Sequence, residues 1–125
     1  MKKLVLNFLA IASLALFTVL TSCQKDDEYY NNINVYVVGE YLRDGTWFGA
    51  FWKNGVAQNL TDGTRNAIAR SVYVSGSDVY VAGYEKYGEG NLFIAKLWKN
   101  GVARNLNNAD GSQSAHALSV FVTNR

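Results

Sequence analysis

An internal repeat constrains this chain more than any other feature of its 125 residues. The block "FWKNGVAQNL", from Phe51, returns as "LWKNGVARNL" from Leu97, and "VYVVGEY", from Val35, returns as "VYVAGYE" from Val79. A third block, "ARSVYVSGSD" from Ala69, returns as "ALSVFVTNR" at the end of the chain. The offsets of 44, 46 and 48 residues differ by the small amounts that loop insertions produce. The matched blocks are therefore predicted to be strands, and the unmatched stretches between them loops.

Each unit carries four strand signals separated by turn residues. β-Branched and aromatic residues dominate the matched blocks, and the chain has no proline, so its turns depend on Gly, Asn and Asp. Asn54-Gly55 and Asn100-Gly101 each separate two strand patterns. Asn-Gly favours a type I′ hairpin, because both of its residues adopt positive φ there. The sequence therefore predicts antiparallel sheets.

The predicted strands are apolar at consecutive positions rather than at alternate ones. Val79-Tyr80-Val81-Ala82 and Leu92-Phe93-Ile94-Ala95 have apolar residues for both faces, whereas an antiparallel sheet with one wet face alternates. Four-stranded antiparallel sheets covered on both faces and repeated about every 45 residues are typical of β-propeller blades. A β-sandwich is the alternative, but its sheets normally keep one face in water. The predicted fold class is all-β, with propeller-blade repeats.

The order of these signals, with a tryptophan on the third strand, resembles a WD-like propeller blade over residues 35–125. The Gly-His and Trp-Asp dipeptides of WD repeats are missing, since lysine follows Trp52 and Trp98. The repeats are more similar to the tandem "LWKNGVA…NLTDG" propeller repeats of bacterial lipoproteins, and this resemblance implies no activity. Because the two tryptophans recur at one position, we expect them to pack between blades, and we expect Leu60 and Leu106 to close the outer strands.

The count of predicted strands is too small for a propeller. Residues 35–70 supply the last three strands of one blade, residues 71–114 a full blade, and residues 115–125 the first strand of another. Propellers close with roughly four to eight blades, and stacked repeats need neighbours to cover their faces. Either Ser119–Thr123 fills the position before Val35 of a neighbouring copy, or the chain is a piece of a longer propeller. A non-functional truncated gene product is a third reading.

The N-terminal residues indicate export. Two lysines precede an apolar run from Leu4 to Leu20, and small residues and the only cysteine follow. This order is typical of a secretory signal peptide, predicted at residues 1–22. A transmembrane helix is the alternative, but Asn7 inside the run and the small polar ending argue against it.

The end of this segment, Leu20-Thr21-Ser22-Cys23, resembles the lipobox of bacterial lipoproteins. The resemblance implies cleavage before Cys23, diacylation of its thiol and a lipidated tether at residues 23–34. Gln24 is not the aspartate that resembles an inner-membrane retention mark, and "QKDDE" resembles a signal that sends some lipoproteins to the outer face of the outer membrane. We therefore expect a lipid-anchored protein of the outer membrane that faces the cell exterior.

Charge argues against nucleic acid as a partner. The chain has twelve basic and ten acidic residues, and two of the basic ones, Lys2 and Lys3, lie in the predicted signal peptide. The mature chain is therefore neutral and lacks the basic surface that phosphate backbones require.

The titratable residues do not predict catalysis, a cofactor or a metal site. The single histidine, His116, is expected to be a packing or surface residue, and zinc would need further His or Cys ligands. Asp62 and Asp110 precede glycines and are expected to shape turns, because aspartate commonly bonds its own backbone there. Three other acids are expected in loops after the second strand: Asp44, Glu85 and Glu89.

Trp47 is the one tryptophan without a repeat counterpart, and Arg43 and Asp44 lie near it in sequence. An exposed aromatic beside polar groups can stack on a sugar ring. The sequence thus predicts a lipid-anchored cell-surface binding or interaction module rather than an enzyme. Its ligand is unspecified, and its further partners are copies of itself or additional blades. The alternative is a piece of a larger propeller protein that acts on glycans or binds them.

Overall fold

A computed structural model describes residues 32–125; Cys23, the predicted signal peptide and most of the predicted tether lie outside these residues. The described residues form two antiparallel β-sheets, which confirms the all-β fold class and the incomplete blade repeats. The first sheet has three strands, in the order β1 (Tyr36–Arg43), β2 (Thr46–Lys53) and β3 (Val56–Asn59). The second has four, in the order β4 (Ala67–Ser75), β5 (Asp78–Tyr87), β6 (Leu92–Lys99) and β7 (Val102–Asn105).

The Asn-Gly hairpins have the predicted turn geometry. Asn54 and Gly55 have φ of 51° and 81°, and Asn100 and Gly101 have φ of 50° and 82°. Each asparagine also ties its turn to the start of the preceding strand of the same sheet, at Val79 in β5 and at Val35 just before β1. The amide of Val79 donates to Asn100 Oδ1 over 2.9 Å, and the Asn100 amide donates to the Val79 carbonyl over 2.9 Å. The same bonds join Val35 and Asn54, so each asparagine both forms its turn and fixes that turn to the neighbouring strand.

The core lies between the two sheets, where the second sheet packs on one face of the first. Trp98 is 1% exposed and belongs to a buried cluster. The other members of that cluster are Phe51, Leu60, Ala69 and Val81. Trp98 therefore packs between blades, as its repetition predicts. Trp52, its repeat counterpart, is only partly buried, because no described residues cover its face of the first sheet in the way that the first sheet covers Trp98.

A close backbone approach at β4 and β5 requires a glycine. The register of this strand pair shifts between Ala69 and Ser71, which leaves Arg70 as the extra residue of a bulge. At Gly83, opposite Ala69, an added Cβ would overlap the carbonyl oxygen of Ile68. Only glycine fits this position while the bulge is present.

The C-terminal segment does not form the predicted eighth strand. Ser119–Thr123 has no ladder partner among the described residues, and a strand exists only through such pairing. The segment nevertheless has a defined place against the second sheet. The Ala115 amide donates to the Phe93 carbonyl over 2.9 Å, and the Val120 amide donates to Ser71 Oγ over 3.2 Å. No helix long and apolar enough to cross a membrane occurs in residues 32–125.

Candidate functional site

The candidate functional site is a polar groove where loops of both sheets meet. It has a volume of about 250 Å³. We call it the loop groove and define it by its lining residues, which come from the β1–β2 turn, the β3–β4 connection and the end of β5 with its following loop: Gly45, Thr46, Thr64, Arg65, Asn66, Lys86, Gly88 and Glu89. Function commonly resides on such loops, because the sheets beneath hold them rigidly.

Asn66 holds the two sides of the loop groove together. Its Oδ1 accepts a hydrogen bond of 2.9 Å from the Trp47 amide at the start of β2. Its main-chain carbonyl accepts a hydrogen bond of 2.7 Å from the Lys86 amide in β5. One residue therefore bonds both sheets, which fixes the width of the groove between them.

Two cations and one carboxylate line the loop groove. Arg65 and Lys86 are basic, and Glu89 is acidic. Arg65 is oriented by contacts on two sides: its Nη1 lies 3.8 Å from Glu85 Oε1, and its guanidinium lies 5.9 Å from the centre of the Tyr87 ring. A guanidinium positioned in this way can donate to a carboxylate or to sugar hydroxyls without losing much conformational entropy on binding.

Glu85 lies in β5 and not in a loop as the sequence predicts, because β5 continues to Tyr87. Its side chain is 17% exposed and lies 3.8 Å from both Arg65 Nη1 and Lys96 Nζ. Apolar residues before Glu85 indicated a strand, but nothing in its own chemistry indicated that cationic partners would stabilise it there. Glu85 therefore supports the groove by orienting Arg65.

Asp62 and Asp110 are turn residues, as their position before glycine predicts. Asp62 Oδ1 accepts hydrogen bonds from Thr64 Oγ1 over 2.7 Å and from the Thr64 amide over 3.0 Å. These bonds, the side-chain bond above all, lower the pKa of Asp62 below its ordinary value. Asp110 makes the same pair of bonds with Ser112, and the pKa of Asp110 is lowered for the same reason. Asp62 thereby shapes the loop that carries Thr64 and Arg65 to the groove.

His116 packs against aromatic rings. Its ring centre lies 4.2 Å from that of Tyr84 and 4.9 Å from that of Phe93. Arg70 in β4 also contacts Tyr84. Its Nη2 donates to the Tyr84 hydroxyl over 2.7 Å, and this bond raises the pKa of Arg70. Within residues 32–125, no three His, Cys, Asp or Glu side chains lie together in a way that could hold a metal ion.

Trp47 adjoins the loop groove through its main-chain amide, which donates to the lining residue Asn66, and the residue is 42% exposed. It follows the lining residue Thr46 and pairs across the hairpin with Leu42, which is also exposed. Arg43 and Asp44 in the adjoining turn form an exposed ion pair of 3.7 Å with each other. The structure therefore places Trp47, Arg43 and Asp44 at one end of the first sheet, next to the groove.

Sequence reasoning missed the two most informative groove residues, Arg65 and Asn66. Their repeat counterparts are Gln113 and Ser114. The available signal was that the two copies differ at these aligned positions, whereas the residues that the copies share have structural roles.

Comparison of the chain with protein-family models, with curated proteins and with solved structures gave no match.

Proposed function

We propose that this protein is a lipid-anchored cell-surface binding module whose loop groove takes an acidic, hydroxyl-rich ligand such as a uronic-acid oligosaccharide. The single observation that carries the proposal is the groove itself, which two cations line above a rigid frame. Arg65 and Lys86 supply charge for a carboxylate, and Thr64 and Asn66 supply polar groups beside them. Trp47, whose amide bonds Asn66, is a partly exposed aromatic residue adjoining this set.

The engagement of the acids supports binding rather than glycan hydrolysis. Glycosidases of the common type use two carboxylates that face each other across the substrate. Here Glu85 is engaged with Arg65 and Lys96, and Asp62 and Asp110 each accept two bonds from their own loops. These three acids act as structural groups, and Glu89 is the single carboxylate among the residues that line the groove, which favours the binding module over the glycan-active enzyme.

The ligand is tested by measuring the affinity of the protein for an oligogalacturonate and for a neutral maltooligosaccharide of equal length. We expect the acidic sugar to bind more tightly, and increasing salt to weaken its binding. Arg65→Ala should weaken binding of the acidic sugar roughly tenfold to hundredfold, since a charge-assisted hydrogen bond contributes about 1.5–3 kcal/mol.

Arg104→Ala is the matched control for this measurement. Arg104 is an exposed arginine on β7 and is not among the residues that line the loop groove. Its replacement removes the same charge from the protein and should leave the affinity unchanged. Equal affinity for the acidic and neutral sugars, or equal losses in the two variants, would contradict the proposed ligand site.

The proposed anchor is Cys23. Two or three acyl chains make a stable membrane attachment, whereas one is marginal. Cys23→Ser should abolish incorporation of a labelled fatty acid and release the protein from the membrane fraction. Protease added to intact cells should remove the wild-type protein if it faces the exterior. Continued labelling of Cys23→Ser would exclude lipidation at this residue.

A further inference from the structure

We propose that the C-terminal segment of one copy of this chain pairs with the outer edge of β1 in a second copy, and so adds to that sheet a fourth strand that residues 32–125 do not supply. The proposal is independent of the loop groove. Two strand edges of nearly the same sequence support it. The edge of β5 is paired with β4, whereas the equivalent edge of β1 has no strand beside it among the described residues.

The intramolecular pair of β4 with β5 supplies the template. Val72 is opposite Val81, Tyr73 is opposite Tyr80, and Val74 is opposite Val79. The repeat relates β4 to the C-terminal segment and β5 to β1. It therefore predicts the register between copies: Val120 opposite Val37, Phe121 opposite Tyr36, and Val122 opposite Val35.

Gly39 is the first sign that such a strand belongs on β1. Its counterpart, Gly83, must be glycine because the bulged strand β4 would overlap a Cβ there. Among residues 32–125, an added Cβ at Gly39 would meet only atoms of the Trp52 ring, at 3.6 and 4.0 Å, which are ordinary contacts. Nothing among the described residues requires glycine at this position. A donor strand equivalent to β4, with Leu118 as its bulge residue, would approach Gly39 so closely that only glycine fits there.

The exposed apolar residues at the two ends of the molecule complement each other. Val37 is 52% exposed, whereas its counterpart Val81 is 1% exposed. Phe121 is 74% exposed, and its ring packs edge-on against Tyr73 at a centroid distance of 4.9 Å. Burial of apolar groups is favourable, so the same contact stabilises both ends.

The second sheet of the donor copy would cover the face that Trp52 presents. In the template, Phe51 and Leu60 of the first sheet pack with Val81 and Trp98 of the second. The counterparts of Phe51 and Leu60 are Leu97 and Leu106, and Leu106 is 54% exposed. The proposed pairing places Leu97 and Leu106 of one copy over Val37 and Trp52 of the next.

The C-terminal segment is already held in a donor position. Segment 66–72 leaves the first sheet with the Asn66 side chain bonded to the Trp47 amide and then becomes β4. Segment 114–120 leaves the second sheet in the same way, with Ser114 Oγ accepting a bond of 3.0 Å from the Phe93 amide. Pairing between copies therefore needs little reordering of the donor, which lowers its entropic cost.

Each copy would donate at one end and accept at the other, which is a heterologous contact that forms rings or filaments. The mature lipidated protein in detergent should therefore have the mass of a multimer that dissociates on dilution. Gly39→Ala should keep the melting temperature of the monomer and abolish the multimer, because the new Cβ would overlap the donor strand. A multimer that persists in Gly39→Ala, or a wild-type protein that is monomeric at its highest concentration, would overturn the proposal.

The register is tested by disulfide formation between two differently tagged chains in membranes, one with Val37→Cys and the other with Val120→Cys. These two positions should cross-link under mild oxidation. The control pair combines Leu42→Cys with Val120→Cys; Leu42 is 56% exposed and lies on the same strand, but far from the predicted partner. Because disulfides require Cα atoms within about 7 Å, the control should not cross-link. Equal cross-linking of the two pairs would exclude the proposed register.

Discussion

The two copies of the repeat have nearly the same residues in their strands and very different burial. Leu60 is 8% exposed, and its counterpart Leu106 is 54% exposed, although both follow an outer strand with the sequence Val-Ala-x-Asn. Both leucines close their outer strands in the same way, since the Leu60 amide donates to the Gly49 carbonyl and the Leu106 amide to the Ala95 carbonyl, each over 2.8 Å; only the burial of their side chains differs. The cause is position in the stack, because the second sheet covers Leu60 and no described residues cover Leu106 in the same way. A repeat residue thus stabilises the fold only where the next unit is present.

The two tryptophans give the largest expected difference between the copies. Trp98→Ala should destabilise the protein by about 3–5 kcal/mol, because it leaves a cavity in the core between the sheets. Trp52→Ala should cost much less in a dilute sample, since Trp52 is only partly buried. Chemical denaturation of both variants at low protein concentration measures the difference. Equal losses would show that the two faces are equally covered.

Replacement of Leu60 and Leu106 should give a difference in stability loss in the same direction as the two tryptophan variants, but somewhat smaller. Leu60→Ala should destabilise the monomer by about 2–5 kcal/mol, whereas Leu106→Ala should change its stability by less than about 0.5 kcal/mol. At concentrations where copies associate, Leu106→Ala should weaken the multimer, since Leu106 then covers Trp52 of the next copy. A large loss for Leu106→Ala in the dilute monomer would mean that another part of the chain covers it.

The turn aspartates should give the smallest effect, and it should be alike in both copies. The folded-state pKa values of Asp62 and Asp110 lie below the ordinary value of 3.8. Their contribution to stability is therefore fully present above about pH 4 and is lost as the pH falls through the lowered folded-state values. Asp62→Asn and Asp110→Asn should each flatten the acid limb of the stability curve. Thermal melts from about pH 6 to pH 2 measure this; a change in only one copy would show that the loops are not equivalent.

The hairpins and the consecutive apolar strands were predictable because they depend on local chemistry. Asn-Gly adopts positive φ with little strain, and a run such as Val79-Tyr80-Val81-Ala82 is stable only when both faces are covered. The lack of strand pairing at Ser119–Thr123 among the described residues was not predictable. Its residues match those of β4, and only a pairing partner distinguishes a strand from an extended segment. The loop groove was only partly predictable. Trp47 and Asp44 indicated the end of the first sheet where the groove lies, but no sequence pattern indicated Arg65 and Asn66.

The sequence alone determined the repeat, the antiparallel hairpins, the all-β class and the turn roles of Asp62 and Asp110, because each follows from contacts within a few residues or from a period. Tertiary structure alone decided which member of each repeated pair is buried and which is exposed. It also decided that Glu85 sits within a strand between two cations and that Asn66 joins the sheets. These features depend on which surfaces face each other across the stack, and identical local sequences cannot carry that information.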